Sequence, residues 1–368
     1  MRSKVAVLRT SAASVVDDIG RLMELADCNA ELKQDRTTLL KVNISWHVYY
    51  PGCSTSPWQL EGVIRGLQHL GFPSERLLAA QNSTVVVDPH VGVRNNKLEA
   101  VLDRYGVRSV WLNDKESEAD WIRYEPKGKM LVLNDVYPDG LMLPRTLIGA
   151  NIIHLPTLKT HVFTEMTGAM KNAFGGLLHL KRHWTHSVIH ETLVDLLTIQ
   201  KEIHPGIFAV MDGVIAGDGP GPRAMRPHVA NLLLASRDQV AIDAVAAKLM
   251  GFDPLTIKFI RLANDAKLGN GDPRCIDIVG DDVSQVNLGF HRNENTFASK
   301  GQKLIYHGPL KPLEKILLRS PLVPWSYFAS RLYHDGYWYP FVGIPRKKKI
   351  MESEWGKLFR EYEPKGQA

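Results

Sequence analysis

Cysteine is scarce in this chain, and long apolar runs are missing. The three cysteines, Cys28, Cys53 and Cys275, lie far apart among 368 residues. This spacing predicts neither a disulfide framework nor the clustered cysteines of an iron–sulfur or zinc site. No stretch approaches the roughly 20 apolar residues of a membrane span, and the first residues lack the apolar run of a signal peptide. We therefore expect a cytoplasmic protein.

The chain also lacks the signatures of nucleic-acid and nucleotide binding. No helix-turn-helix, zinc-finger or RNA-binding motif is present, and no phosphate loop or dinucleotide fingerprint occurs. The net charge is +6 and the pI about 9.0, but the basic residues are dispersed. Such a charge suits a small anionic substrate or an anionic surface. We expect no nucleic-acid partner.

Strands and helices alternate along the chain, which is typical of an α/β fold with a mostly parallel sheet flanked by helices. We expect one or two lobes: an N-terminal α/β lobe over residues 1–145 and a central α/β lobe over 146–290. An aromatic and basic extension follows over 300–368. Apolar patterns predict strands at Lys4–Leu8, Thr37–Ser45, Val85–Val87, Val107–Leu112, Met130–Leu133, Leu147–Leu155, Ile207–Met211, Asn231–Ala235 and Ile276–Val279. They predict helices at Ser14–Ala26, Trp58–Leu70, Asn96–Tyr105, Glu191–Ile203, Val240–Met250 and Pro254–Ala266.

The stretch Asn151–His190 is the densest in titratable side chains. It begins with a predicted strand, and ligands of parallel sheets gather beyond the carboxyl ends of strands. Lys159 and His161 are two residues apart, so an extended chain points both to one side. Lys171 follows on a predicted helix that Thr164 can cap, and a partly buried lysine near an imidazole can have a lowered pKa. Each residue alone is more often plain polar surface, but the cluster indicates a site for proton transfer or covalent attachment.

Four histidines follow within twelve residues, at His179, His183, His186 and His190. Their spacing places all four on one face of a helix. Histidines four residues apart can bind a divalent metal, and we prefer His186 and His190 as the ligands. Lys181 and Arg182 lie among the histidines, so anion binding is an open alternative.

Other candidates lie at or near other strand ends. Asn43 lies near the end of the second predicted strand, and Asp212 follows Ile207–Met211 directly. Asp212 suits a metal ligand or a carboxylate that orients a histidine. The glycine-rich loop around Gly219 can hold an anion through backbone N–H groups or form a plain turn. Asp243 lies inside an apolar helix and needs a partner, either at the site or within the core.

The central motifs resemble the family catalogued as domain of unknown function 362. The segment Lys41–Asn43 is similar to that family's lysine-proline-asparagine strand end, with Val42 in place of the proline. Many members carry an added ferredoxin-like cysteine cluster, which this chain lacks. The resemblance covers residues 1–285 and is most specific in its middle third. The other matching segments are Ala150–Ile153, Leu158–His161, Thr167–Asn172, Phe174–Gly175, Asp212–Gly213, Gly219–Pro220 and Ser236–Gly251.

A second, weaker resemblance is to the nickel-pincer lactate racemases. Those enzymes also carry a lysine ten residues after a histidine that follows a strand, as Lys171 follows His161 here. The resemblance implies proton transfer by His161, cofactor contact by Lys171, and a nickel ligand at His186 or His190. The pair Ala169–Met170 replaces small glycines of that family.

We predict an enzyme of the isomerase or lyase kind that moves a proton on a small anionic substrate. The reaction would be racemisation, epimerisation, isomerisation or elimination, with a divalent metal as one candidate cofactor. His161 is the expected acid/base, Lys171 its partner base or cofactor anchor, Lys159 the anion contact and Asp212 the orienting carboxylate. The alternative is a non-catalytic protein that binds or delivers a metal or cofactor, including at a membrane surface. Substrate or cofactor contacts are assigned to Thr167, Asn172, Gly175, Gly219 and Asn43.

The C-terminal extension is rich in aromatic and basic residues. Leu317–Phe341 holds eight aromatic residues, and the basic run Arg346–Lys349 follows. This composition suits a strap over the core, a homodimer contact or peripheral contact with a membrane.

Overall fold

One sheet runs through the molecule. The structure is a computed structural model that describes residues 2–83, 87–112, 120–178, 180–306, 308–309, 311–313 and 330–363. In these residues ten strands form one sheet, and β5 and β6 pair separately. The strands are β1 (Ser3–Arg9), β2 (Thr38–Val42), β3 (Leu77–Gln81), β4 (Arg108–Trp111), β5 (Trp121–Tyr124), β6 (Leu141–Pro144), β7 (Asn151–Leu155), β8 (Thr157–His161), β9 (Glu165–Met166), β10 (Ile207–Asp218), β11 (Arg226–Ser236) and β12 (Ile276–Gly280).

The sheet is largely parallel, as predicted. Its main order is β12-β1-β11-β10-β7-β2-β3-β4. Among the described strands of this sheet, the two pairs that involve β11 and the short pair β8–β9 are antiparallel, and the other pairs are parallel. The chain leaves β7 at Pro156 and continues as β8, which pairs with the later half of β10. Because β2 lies between β7 and β3, residues 1–145 and 146–290 build this sheet together.

The two faces of the sheet bury two separate cores. Neighbouring strand residues alternate between these cores: Ile152 joins one and Ile153 the other, and Ala209 and Val210 do the same. This period of two is what a strand buried on both faces requires. The strands therefore read as continuous apolar runs in the sequence.

Helices cover both faces. Leu193 on α9, Ile242 on α10 and Phe259 on α11 belong to one core, and Ile19 on α1 and Leu60 on α3 belong to the other. The helices are α1 (Val15–Leu25), α2 (Cys28–Glu31), α3 (Pro57–His69), α4 (Pro89–Asn95), α5 (Leu98–Tyr105), α6 (Leu133–Val136), α7 (Gly168–Asn172), α8 (Phe174–Leu177), α9 (Ile189–Ile203), α10 (Gln239–Met250), α11 (Lys258–Asp265), α12 (Phe297–Tyr306), the π-helix α13 (Leu332–Gly343), α14 (Ile344–Met351) and α15 (Glu354–Glu361).

One strand prediction is wrong for a local reason. Met130–Leu133 forms no strand, because the N–H groups of residues 131, 132 and 133 all donate to the Asp195 carboxylate on α9. The apolar pattern did not predict β3 (Leu77–Gln81), which pairs with β2, and most of the predicted strand Val85–Val87 lies outside the described residues.

The glycine-rich segment after Asp212 is not mainly a loop. β10 continues through Gly213 to Asp218, because β11 pairs with it on one side and β8 on the other. The turn begins only at Gly219, whose φ is +99°. The prediction was wrong because glycine was taken as a sign of a turn, whereas Gly213 and Gly217 provide room for close packing by Leu158 and Met225.

The helix that carries Lys171 is short and is fixed at its start by Asp243. Helix α7 begins at Gly168 and not near Thr164, whose hydroxyl donates to the Met166 carbonyl. The fully buried Asp243 carboxyl accepts from Ala169 N at 2.6 Å and Met170 N at 3.0 Å. Asp243 therefore has a structural partner, and its burial raises the pKa of this carboxyl to about 8.

The described part of the C-terminal extension packs on the body of the molecule. Trp338 lies 6.0 Å from Trp46 and 5.3 Å from Tyr50, measured between ring centroids. Trp355 on α15 contacts Trp58 on α3. The extension is therefore a strap over the core, as one of the three alternatives predicted. None of the described helices has the length and apolar character needed to span a bilayer.

We expect Gly168→Ala to destabilise the protein more than Gly149→Ala does. Both glycines have φ of +77°, but a Cβ at residue 168 would lie 2.4 Å from Asp243 Oδ1, while residue 149 has nothing within 4 Å. Gly149→Ala should cost about 1–2 kcal/mol from backbone strain. Gly168→Ala should cost about 1–3 kcal/mol more from overpacking. Urea unfolding measures both, and equal losses would contradict the proposed role of Gly168.

Candidate functional site

A cavity of about 260 Å³ opens at the carboxyl edge of the parallel sheet. It lies beyond the ends of β2 and β3 and beside α7, where ligands of α/β sheets collect. Four of its lining residues are cationic, and none of the described lining residues is an aspartate or glutamate. The polar lining consists of Lys41, Asn43, Ser45, Asn82, Thr167, Lys171, Asn172, Arg182, His183, His186 and Arg223.

Two arginines keep unpaired donors at this cavity. Arg182 donates from Nη2 to the Ser83 carbonyl at 3.0 Å, and Arg223 donates from Nη2 to Ser330 Oγ at 3.2 Å. The Nη1 atoms of both guanidinium groups are buried without a hydrogen-bond partner in the described chain. The Thr167 hydroxyl, also in the lining, is buried and unpartnered in the same way.

Lys41 forms the floor between β2 and β3. Its Nζ donates to the Val42 carbonyl at 2.7 Å and to Asn82 Oδ1 at 3.0 Å. Burial, and then the charge of Arg182, lower the pKa of Lys41 to about 7. Gly175 makes room for this contact, because a Cβ there would lie 2.5 Å from Asn82 Oδ1.

Lys171 reaches the cavity from α7. Its Nζ lies 5.4 Å from the centroid of the Phe174 ring. Burial, followed by the charges of Lys159 and Arg182, lowers the pKa of Lys171 to about 7. Near neutral pH a substantial share of Lys171 is therefore a free amine, which can accept a proton.

Asn172 ties this helix to the floor. Its side-chain nitrogen donates to the Lys41 carbonyl at 2.7 Å, so the residue after Lys171 is fixed to β2. Asn43, another predicted contact, lies in the lining and accepts from Ser45 Oγ at 2.7 Å.

Lys159 stands behind the lining and braces a loop. It is 1% exposed, and its Nζ donates to the Cys53 carbonyl and to Ser45 Oγ, the latter at 3.0 Å. Burial lowers the pKa of Lys159 to about 8. Lys159 does not line the cavity, so it does not make the predicted anion contact in this geometry. It instead positions Ser45 in the cavity wall.

His161 is buried next to Lys171 and His186. Burial comes first, and the charges of these two neighbours add to it, so the pKa of His161 lies well below its usual value and the imidazole is neutral. The Phe163 N–H donates to Nδ1 at 3.1 Å. The ring hydrogen is therefore on Nε2, and His161 is a hydrogen-bond donor at that atom.

The two preferred metal ligands are not brought together. His186 lines the cavity between the Tyr306 and Phe174 rings, whereas His190 stacks on Phe259 of α11 with 6.0 Å between ring centroids. The single-face prediction failed because Leu180–Val188 is a 3₁₀ segment and α9 begins only after it. His179 lies outside the described residues.

The described donor set does not fit a metal centre held by the protein. No group of three or more His, Cys, Asp or Glu side chains is placed to hold a metal ion in the part of the chain that the structure describes. His186 Nδ1 lies 3.0 Å from the His183 carbonyl, which leaves Nε2 as its ligand atom. The nickel ligand suggested by the racemase resemblance thus remains a hypothesis, and no step below is routed through a metal.

Asp212 and Gly219 lie away from the cavity. The Asp212 carboxylate accepts from Ser56 Oγ at 2.5 Å, from Trp58 Nε1 at 3.0 Å and from Val214 N at 2.7 Å. These contacts fix the start of α3 to β10, and among the described residues no histidine is a hydrogen-bond partner of Asp212. The Gly219 carbonyl accepts from Thr160 Oγ1 at 2.6 Å and so shapes the turn that leads to Arg223.

Asn82 and Arg223 belong to the site but were missed from the sequence. Asn82 follows β3, a strand that the apolar pattern did not predict, and Arg223 follows the glycine-rich turn that begins at Gly219. The sequence marks Arg182 only as part of a basic pair, whereas Lys41, at the polar end of the second predicted strand, is a candidate for the lining of a site. The available signal was their position directly after strand ends and turns at one edge of the sheet.

The chain belongs to the family described as domain of unknown function 362. That family's model matches residues 38–248, which contain every described residue that lines the cavity. The chain is also similar to a thylakoid-associated protein of Synechocystis sp., with 34% identity over 125 residues. This match covers 32% of the chain and 38% of the relative, so the chain spans well under two thirds of that relative's length.

We expect the free energy of unfolding to rise with pH between 7 and 9 because of Lys41 and Lys171. Unfolded lysines keep their proton to pH 10.5, whereas the folded pKa of each is about 7, so unfolding takes up protons in this window and stability increases with pH. Lys41→Met should reduce the slope of the unfolding free energy against pH, because up to one proton fewer is taken up on unfolding. Lys248→Met, which removes an exposed lysine of α10, should leave the slope unchanged. Urea unfolding at several pH values measures this, and equal slopes for all three proteins would contradict the lowered pKa of Lys41.

Proposed function

We propose that this protein is an enzyme that moves a proton on a small anionic substrate, by racemisation, epimerisation, isomerisation or elimination. The observation that carries the proposal is the Lys171 amine, which faces a cavity without described carboxylates and has a pKa of about 7. A base with a pKa near the working pH is the most effective proton acceptor. The cationic lining supports the anionic nature of the substrate.

The two groups of the proposed acid/base pair have unequal roles. Lys171, as free amine, removes the proton from the substrate. His161 does not line the cavity but lies next to Lys171. It is neutral with its hydrogen on Nε2, so it donates a hydrogen bond beside Lys171 rather than acting as the base. Arg182 and the protonated fraction of Lys41 stabilise the negative charge that develops on the substrate as the proton leaves.

Binding or delivery of a metal or cofactor without catalysis is the second candidate. His183 and His186 in the lining favour it. A third protein ligand is missing from the described residues, and this makes a carrier role less well supported than proton transfer.

Deuterium incorporation tests the enzyme proposal without knowledge of the substrate. The protein is incubated in D₂O with a small-molecule extract of its source cells, and anionic metabolites that gain one mass unit are found by mass spectrometry. Lys171→Met should lower the rate about 100-fold or more, and Lys248→Met should keep it. A folded Lys171→Met variant with the wild-type rate, or the absence of any labelled metabolite with wild type, would overturn the proposal.

We also propose that the protein works at the surface of an anionic membrane. Leu332, Tyr337, Phe341 and Ile344 form a stripe on α13 and the start of α14, and they are 61%, 57%, 70% and 49% exposed. Their spacing of five, four and three residues keeps them on one face of a helix that begins with π-type turns. The opposite face, with Trp338, is buried on the core.

Cations border this apolar stripe at both ends. Arg331 lies at one end and Lys348 and Lys349 at the other, all exposed. Exposed apolar side chains between cations suit an interface rich in anionic lipid. The name of the thylakoid-associated relative is consistent with such a place of work.

Vesicle co-sedimentation tests the membrane proposal. Wild type should bind phosphatidylglycerol vesicles more tightly than phosphatidylcholine vesicles, and Phe341→Ser should bind at least fivefold less. The control is Phe297→Ser, which removes a phenylalanine of α12 outside the stripe that is even more exposed than Phe341. Equal binding by wild type and Phe341→Ser would contradict the proposal. A wild-type homodimer that Phe341→Ser converts to monomer would instead assign the stripe to a second copy of the chain.

A further inference from the structure

The cavity holds three sets of hydrogen-bond donors that the protein itself does not use. These are Arg182 Nη1, Arg223 Nη1 and the Thr167 hydroxyl. Arg182 is 8% and Thr167 5% exposed, so water has little access to either group. Buried donors without partners are costly and native proteins contain few of them. Their presence in the lining of one cavity points to a ligand that accepts from all three.

The charge of the lining selects the kind of acceptor. Lys41, Lys171, Arg182 and Arg223 face the same cavity of about 260 Å³, without a carboxylate from the described residues. A single carboxylate brings one negative charge and two oxygens in one plane. A phosphate monoester brings close to two negative charges and three terminal oxygens that point in different directions, so it can accept from donors on several sides of the cavity.

We propose that the cavity binds the phosphate group of a phosphorylated substrate, between Arg182, Arg223 and Thr167. The binding of phosphate at this site does not depend on the proposed function. Only the statement that the ligand is a substrate rests on it. Lys171, on the helix that starts just after Thr167, then reaches the carbon skeleton next to the phosphate. Lys41 adds a second cation at the floor through its fixed position between Val42 and Asn82.

Calorimetry with defined probes tests the proposal. The probes are inorganic phosphate, glycerol 3-phosphate and acetate, each titrated into the full chain at pH 7. Wild type should bind both phosphates at least tenfold more tightly than acetate, with glycerol 3-phosphate at least as tight as inorganic phosphate. Acetate binding as tight as phosphate would overturn the proposal, and binding of inorganic phosphate without glycerol 3-phosphate would overturn the phosphorylated substrate.

Variants show whether the binding occurs at this cavity. Arg182→Gln should weaken phosphate binding at least tenfold. Thr167→Val, which removes one hydroxyl at nearly constant volume, should weaken phosphate binding severalfold. This variant tests the site if Arg182→Gln fails to fold. Arg21→Gln removes an exposed arginine of α1 and matches the change in net charge, so it should bind as wild type does. Equal phosphate affinity in Thr167→Val, Arg21→Gln and wild type would overturn the site.

The phosphate proposal and the proton-transfer proposal fail separately. Calorimetry requires no turnover, so phosphate binding that Thr167→Val weakens stands even if no metabolite gains deuterium. Conversely, labelling that depends on Lys171 together with phosphate binding no tighter than acetate binding would keep the enzyme and remove the phosphorylated substrate.

Discussion

The buried contact between Asp243 and the start of α7 is the interaction on which the site depends. The Asp243 carboxyl on α10 accepts from two successive backbone N–H groups, and Gly168 allows this close approach because it has no Cβ. The contact fixes a helix of only five residues, which is too short to be stable alone. This helix carries Lys171 and Asn172, so α10 sets the position of the lysine that is proposed as the base.

A second constraint is the crowding of cations at one edge of the sheet. Lys41, Lys159 and Lys171 are all removed from water with little opposing charge, and the protein tolerates them because their pKa values fall to between about 7 and about 8. Arginine cannot lose its proton in the same way, so Arg182 and Arg223 stay charged. An anion in the cavity relieves this repulsion, which links binding to proton uptake by the lysines. Lys41 and Lys171, the two of these lysines that line the cavity, can thus recognise an anion and exchange protons with it.

The sequence allowed the sheet and the central cluster to be predicted, but not the walls of the cavity. The α/β alternation and the pair His161–Lys171 follow from local patterns, because apolar runs and short spacings act within one segment. His186 and His190 have different surroundings because a 3₁₀ segment replaces the expected helix. Asp212 lies away from the cavity because its partners are Ser56 and Trp58, which are far away in sequence. Arg223 and Asn82 become site residues only when β3, β8 and β10 are assembled. Such contacts between distant segments leave no periodic signal in a single sequence.

The most direct test of this account is the pKa of Lys171 itself. In protein labelled with ¹³C-lysine, the Lys171 ε-carbon resonance, assigned by its loss in Lys171→Met, is followed by NMR from pH 5 to 11 with and without inorganic phosphate. The account predicts a midpoint near 7 that moves upward when phosphate is added, because a bound anion stabilises the ammonium form. A midpoint near 10.5, the ordinary lysine value, that phosphate does not move would contradict it, since Lys171 would then be neither a base near neutral pH nor a neighbour of the anion.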